Sequence, residues 1–158
     1  MNINVISSKD HYKDDDVYDD IVRYCLNPSK CRDGLVAVCN MERAHIARDM
    51  YRLSKKFGKL KGTRIRHVVL SFDSHDKVDP ELAYCIAWYA CAFYADQYQV
   101  FAAVHQNTDF LHIHMVMNTV NIYTGEKYRG KKKDYYDFQK HLKYVAGFYG
   151  IKFRGASK

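Results

Sequence analysis

Val104-His105-Gln106-Asn107-Thr108-Asp109-Phe110-Leu111-His112-Ile113-His114-Met115-Val116-Met117-Asn118 is the stretch from which the fold can be read. Two aromatic and β-branched runs, Gln99 to His105 and His112 to Val120, flank six polar-leaning residues, which is the pattern of a β-hairpin. In a strand, residues i and i+2 share a face, so His112 and His114 point the same way while Ile113 points into the core. The preceding strand ends at His105. Directly opposed side chains on paired antiparallel strands lie about 5 Å apart at Cβ, so a third imidazole can complete a facial set. Three histidines around one divalent ion leave coordination positions open, as catalysis requires and a closed structural site does not allow. His-x-His alone is more often a pair of histidines hydrogen-bonding at a sheet surface; the third histidine favours the metal. Neutral ligands leave the ion its full charge, which attracts an anionic substrate such as phosphate.

Outward from the hairpin, periodicity predicts the other elements. Asn2 to Ile6 alternates weakly, as a short strand does. Val17, Ile21, Tyr24 and Cys25 recur at helical spacing until Asn27-Pro28. Leu35 to Cys39 reads as a strand, Glu42 to Phe57 as a helix ended by Gly58, and His67 to Phe72 as a strand. Asp79-Pro80-Glu81 places an N-cap before an N1 proline and opens a long apolar helix to about Ala95. Thr124-Gly125 marks a turn, and Tyr135 to Tyr149 closes the chain as a helix. The order β-α-β-α-β-α-β-β-α predicts an α+β fold with a central, mostly antiparallel sheet and helices packed on it.

The 158 residues fit one domain, 1–158, with no repeat, no low-complexity linker and only two prolines. No apolar run approaches the roughly 20 residues of a membrane span, and Met1 to His11 lack the features of a secretory signal, so a cytoplasmic protein without membrane insertion is expected. Cys25, Cys31, Cys39, Cys85 and Cys91 form an odd set without a Cys-x-x-Cys pair, which argues for reduced thiols. The net charge of +7 conceals an asymmetry. Asp10, Asp14, Asp15, Asp16, Asp19 and Asp20 crowd the start, whereas Arg43 to Arg66 and the run Lys127, Arg129, Lys131, Lys132 and Lys133 are basic. Such clusters suit a polyanion, although a charge run is often only a solvated face.

Three segments together resemble a known family. Val104 to Asn118 is similar to the third motif of plasmid mobilisation relaxases of the MobA/VirD2-like kind, within the His-hydrophobe-His single-strand endonucleases. His67-Val68-Val69-Leu70-Ser71-Phe72 resembles their second motif and Ile21-Val22-Arg23-Tyr24-Cys25-Leu26-Asn27-Pro28-Ser29-Lys30 their first, in the family's order over nearly the whole chain.

The resemblance implies site- and strand-specific nicking and rejoining of single-stranded DNA at an origin of transfer, through a 5′-phosphotyrosyl intermediate. Tyr24 would be the nucleophile, and His105, His112 and His114 the ligands of a divalent metal, magnesium or manganese. Ser71 and Asn118 would contact DNA; Lys127, Arg129, Lys131, Lys132 and Lys133 would grip phosphates while Tyr123 and Tyr128 stack bases. An accessory DNA-binding protein and a coupling protein are implied partners, and without a helicase or primase region strand separation falls to another protein. The chain departs from the family at Asn107, where many relatives carry an aspartate; Asp109 is the candidate to orient an imidazole in its place. Spacing alone reads Tyr24 as a core residue sharing a face with Val17 and Ile21. Two rival functions remain open. Tyr135 with Gln139 offers the Tyr-x-x-x-Gln spacing of single-tyrosine transposases and rolling-circle initiators, and Asn107 also fits a nucleic-acid-binding module without catalysis.

Overall fold

The computed structural model describes residues 1–6 and 11–156; Asp10 of the acidic cluster lies outside them. The elements follow as β1 (Asn2–Ile6), α1 (Val17–Cys25), β2 (Cys31–Cys39), α2 (Ile46–Lys56), β3 (Ile65–Ser71), α3 (Pro80–Ala95), β4 (Val100–His105), β5 (His112–Asn118), α4 (Lys132–Phe148) and β6 (Gly155–Ala156). The strands form one sheet in the order β2-β4-β5-β3-β1-β6, antiparallel except where β6 runs parallel to β1. This is the expected α+β architecture.

Alternation along each strand assigns the two faces. Val68 and Leu70 of β3, Val100, Ala102 and Val104 of β4, and Ile113, Met115 and Met117 of β5 are buried beneath α3 and α4. Their neighbours Ile65, Phe101, Ala103 and Val116 point the other way and are covered by Val17, Tyr18 and Ile21 of α1 with Ile46 and Met50 of α2. The three histidines continue this second set along the strands, His105 after Phe101 and Ala103 and His112 and His114 before Val116, so they lie on the α1/α2 face near one end of the sheet.

Local chemistry accounts for the boundaries. Asp79 caps α3 by accepting a 2.8 Å hydrogen bond from the Leu82 amide, with Pro80 in the first turn, where a missing N–H costs nothing. The helix expected from Glu42 starts instead as a 3-10 turn, Arg43–His45, and becomes α-helical at Ile46. Strand β2 begins at Cys31 rather than Leu35, its register shifting between Cys31 and Val36 so that Cys31 pairs with His105. Helix α4 starts at Lys132, three residues before the expected Tyr135. The two-residue β6 was not anticipated, being too short for any periodic signal. Among the described residues no helix is long and apolar enough to cross a membrane. All five cysteines are free: Cys25, Cys31 and Cys91 are buried, Cys39 is half-buried and Cys85 exposed.

Candidate metal centre and nucleophile

Strand register brings the imidazoles together. His105 pairs directly with His112 across β4 and β5, and His114, two residues on, faces Ala103. The His105 and His114 ring centroids are 4.3 Å apart, with His112 at 5.2 Å from His105 and 5.0 Å from His114. One nitrogen of each lies within 4.8 Å of the others, a spacing that fits a single ion. His105 and His114 are buried, and His112 is partly exposed, so the group opens to solvent through His112.

Hydrogen bonds leave one nitrogen of each ring for a ligand. His105 donates through Nε2 to the Cys25 carbonyl at 2.8 Å, which frees Nδ1. The His112 Nδ1 lies 3.3 Å from the Phe110 carbonyl, leaving Nε2. His114 Nδ1 lies 2.8 Å from His67 Nε2, whereas its own Nε2 is buried and without a hydrogen-bond partner. An orphaned buried nitrogen beside two other imidazoles is what a metal ligand looks like without its ion, since an unsatisfied buried polar atom otherwise costs about 1–3 kcal/mol. Burial and the neighbouring imidazoles push the His114 pKa down to about 2, and burial also lowers that of His105, so these rings are neutral near pH 7, as ligands must be.

Cys25, His67 and His114 form a second group with metal-like spacing, and it shares His114 with the first. All three residues are buried, and the two ring nitrogens between His67 and His114 already bond each other. The solvent-facing trio is the better cation site.

Tyr24 occupies the last turn of α1 and is not a core residue. The helix buries Val17, Tyr18, Ile21 and Cys25, and Tyr24 is 44% exposed. Its ring centroid stands 5.2 Å from that of His114, edge-on, and 5.9 Å from that of His105. The Lys30 ammonium lies 4.3 Å from the Tyr24 ring centroid. A cation there would attract a phosphate beside the ring. Ser71 ends β3 opposite His112, half-exposed at the rim of the group.

Other expected site residues lie elsewhere. Asn118 is fully buried: its amide donates to the Met50 carbonyl and the Gln99 side chain, each at 3.0 Å, and its oxygen accepts from Ser54 and the Val120 amide. In this fold it braces the end of β5 from inside rather than facing solvent. Asn107 and Asp109 are exposed in the β4–β5 loop, and among the described residues neither hydrogen-bonds an imidazole; the support they were expected to give comes from the Cys25 carbonyl, His67 and the Phe110 carbonyl. Lys127 turns its amine onto the Lys61 and Thr63 carbonyls, at 2.5 and 2.8 Å. Tyr128 is half-buried under the Arg66 guanidinium, with only Tyr123 fully presented to solvent. Arg129, Lys131, Lys132 and Lys133 are exposed. Tyr135 packs against the α3/α4 core, on the other face of the sheet from the histidines.

The residues that composition and spacing did not bring forward are Tyr12 and His67. His67 Nδ1 lies 2.7 Å from the Tyr12 hydroxyl, giving a buried chain Tyr12–His67–His114 that ends at the orphaned nitrogen. His67 stands in the segment resembling the second motif, but its approach to His114 depends on the β3–β5 register.

The nuclease-domain model of the MobA/VirD2-like relaxases matches residues 24–151, a span containing Tyr24 and all three histidines. Among curated proteins, protein rlx of Staphylococcus aureus is 30% identical over 83 residues, 52% of this chain and 25% of that protein, so the matched part is about a quarter of the relative's length. A solved structure described as "Molecular Basis of Vancomycin Resistance Transfer in Staphylococcus aureus" superposes with a TM-score of 0.53 over 81% of this chain and 76% of the other, at 12% identity, a likeness of fold.

Proposed function

The chain belongs to the MobA/VirD2-like relaxases through their nuclease domain, and from that premise we propose that it nicks and rejoins single-stranded DNA at an origin of transfer with Tyr24 as the nucleophile. The observation that carries the proposal is the placement of the Tyr24 ring 5.2 Å from His114, whose buried Nε2 has no partner.

A phenol with a pKa near 10 is a weak nucleophile at neutral pH. The Lys30 ammonium, 4.3 Å from the Tyr24 ring centroid, is placed to attract the scissile phosphate, and the partial exposure of Tyr24 gives its proton a path to solvent. The Tyr24 oxygen then attacks the scissile phosphorus, a Tyr24–phosphate bond forms, the bond to the 3′ oxygen breaks, and that oxygen takes up a proton. A divalent ion held by His105, His112 and His114 would polarise the phosphate and offset the charge on the leaving oxygen; magnesium or manganese is proposed, although three imidazoles also suit zinc or cobalt. Ser71 sits at the rim, where the strand would enter. One phosphodiester replaces another, so the step runs nearly level in free energy and reverses without ATP. An accessory DNA-binding protein and a coupling protein are the partners proposed with it.

Mapping the covalent adduct on labelled single-stranded DNA tests the proposal. Tyr24→Phe keeps the ring and deletes the attacking oxygen; it is expected to bind DNA and metal yet form no 5′-phosphotyrosyl adduct, while Tyr135→Phe still forms one. An adduct on Tyr135 would instead indicate transposase-like chemistry, and no adduct from the parent protein a binding module.

A further inference from the structure

Helix α4 carries an outer face that packing does not explain. From Tyr136 to its end, the exposed positions are Tyr136, Lys140, Lys143, Tyr144, Gly147 and Phe148: aromatic, lysine or glycine, with no acid among them. The three rings are 66%, 77% and 73% exposed, whereas the outer face of an amphipathic helix is ordinarily polar. Tyr136, Lys140, Tyr144 and Phe148 follow at four-residue steps, so they stack along one side of the helix, with Lys143 and Gly147 in the adjoining row. At Gly147 neither the backbone dihedral nor any neighbour demands glycine, because a Cβ there would meet nothing within 4 Å. Its lack of a side chain leaves a shallow recess of about 420 Å³ between Tyr144, Phe148, Lys140 and Lys143. Among the described residues neither lysine forms an ion pair.

We propose that this stripe is a second single-stranded DNA site, in which Tyr136, Tyr144 and Phe148 stack bases and Lys140 and Lys143 neutralise phosphates. Positive charge interleaved with exposed rings is the combination that holds single strands without sequence preference, since every base offers a π-face. Lysine is depleted at the centre of protein interfaces, which disfavours a protein partner. A membrane-surface helix needs a continuous apolar stripe, and here lysines and glycine interrupt three rings, two of them tyrosines. Helix α4 covers the sheet face opposite the histidines, so the site is separate from the nicking centre and suits a strand held away from it. The choice of DNA rests on the relaxase reading; the binding itself does not depend on nicking.

The test uses the whole chain with a long oligothymidine that lacks any nick sequence, without divalent metal, read by fluorescence anisotropy. The altered side chains are exposed, so Tyr144→Ala with Phe148→Ala, and Lys140→Gln with Lys143→Gln, leave the core intact. The aromatic pair is expected to weaken binding about tenfold or more. The lysine pair is expected to flatten the logarithmic salt dependence by about 1.4, at roughly 0.7 per charge. Photo-crosslinks from iodouridine are expected on 136–148, and nicking of a short substrate is expected to be unchanged. Unchanged affinity, crosslinks confined to the histidine face, or lost vesicle binding or self-association in place of lost DNA binding would each overturn the proposal. A parent protein that fails to nick yet crosslinks through α4 would refute the nicking reading and leave this one standing.

Discussion

His114 can bind a cation only through a nitrogen that carries no proton. If its Nε2 is the ligand atom, the ring proton sits on Nδ1 and is donated over 2.8 Å to His67 Nε2; His67 then carries its proton on Nδ1 and donates it to the Tyr12 hydroxyl at 2.7 Å. This requires a neutral His67, and burial, aided by His105, lowers its pKa to about 4. With an ion on His114, His67 would hold it in the ligand tautomer, the service a carboxylate gives in many metal sites. We expect His67→Phe to weaken manganese or cobalt binding by roughly 10–100-fold in calorimetric titration, and His67→Gln, which keeps a carbonyl acceptor, to retain more of it. Equal affinity in the phenylalanine variant, with thermal unfolding confirming its fold, would show that the contact does not support the ligand. The clustering of His105, His112 and His114 was legible from three residues and one hairpin. Its support was not: Asn107 and Asp109 lie close to the histidines in sequence, whereas His67 reaches His114 only through strand pairing, which no local pattern displays.

The same distinction holds among the elements. Every long element announced itself through periodicity or caps, because each buries one face, as Asp79-Pro80 and the apolar run of α3 illustrate. What local pattern missed depends on partners: the early start of β2 on its pairing with His105, and β6 on its contact with β1. Asn118, a polar residue at a strand end whose sequence position suggests contact with a ligand, is 0% exposed. It joins the end of β5 to α2 through Met50 and Ser54 and to Gln99 just before β4. Asn118→Ala would orphan several of these buried groups at about 1–3 kcal/mol each, so a net loss of about 3 kcal/mol is expected, seen as a fall of about 10 °C in Tm. Single-stranded DNA affinity, measured well below that temperature, should stay unchanged. Weaker binding with an unaltered melting curve would restore Asn118 to the DNA interface.

Across the whole molecule, the net charge of +7 is unevenly placed, and the fold decides which charges face a polyanion. Strand β3 runs from Ile65, close to the Arg129–Lys133 segment, to Ser71 beside His112; at about 3.3 Å per residue these ends lie roughly 20 Å apart. On the proposed nicking reading, the exposed basic segment would be too far away to act on the scissile phosphate but could hold the strand leading to it. Its members are not equivalent. Lys127 is tied to the Lys61 and Thr63 carbonyls, and Lys133 to Asp137 at 2.5 Å, whereas Lys131 and Lys132 are exposed and, among the described residues, without an ion pair. A lysine already neutralised by a carboxylate gives up that partner when it takes a phosphate, so it adds little to counterion release. Replacing Lys131, Lys132 and Lys133 by glutamine should therefore lower the slope of log affinity against log salt by about 1.4, the value for two free charges at roughly 0.7 each, rather than by about 2.1. Lys133→Gln alone should change the slope little, and nicking at saturating DNA should keep its rate, because no reacting atom is near. Anisotropy titrations over a salt series measure the two slopes, and a nicking assay at saturating DNA measures the rate. A slope unchanged in the triple variant would make the segment a solvated face, and a fallen rate at saturation would place these lysines at the scissile phosphate, against the strand geometry.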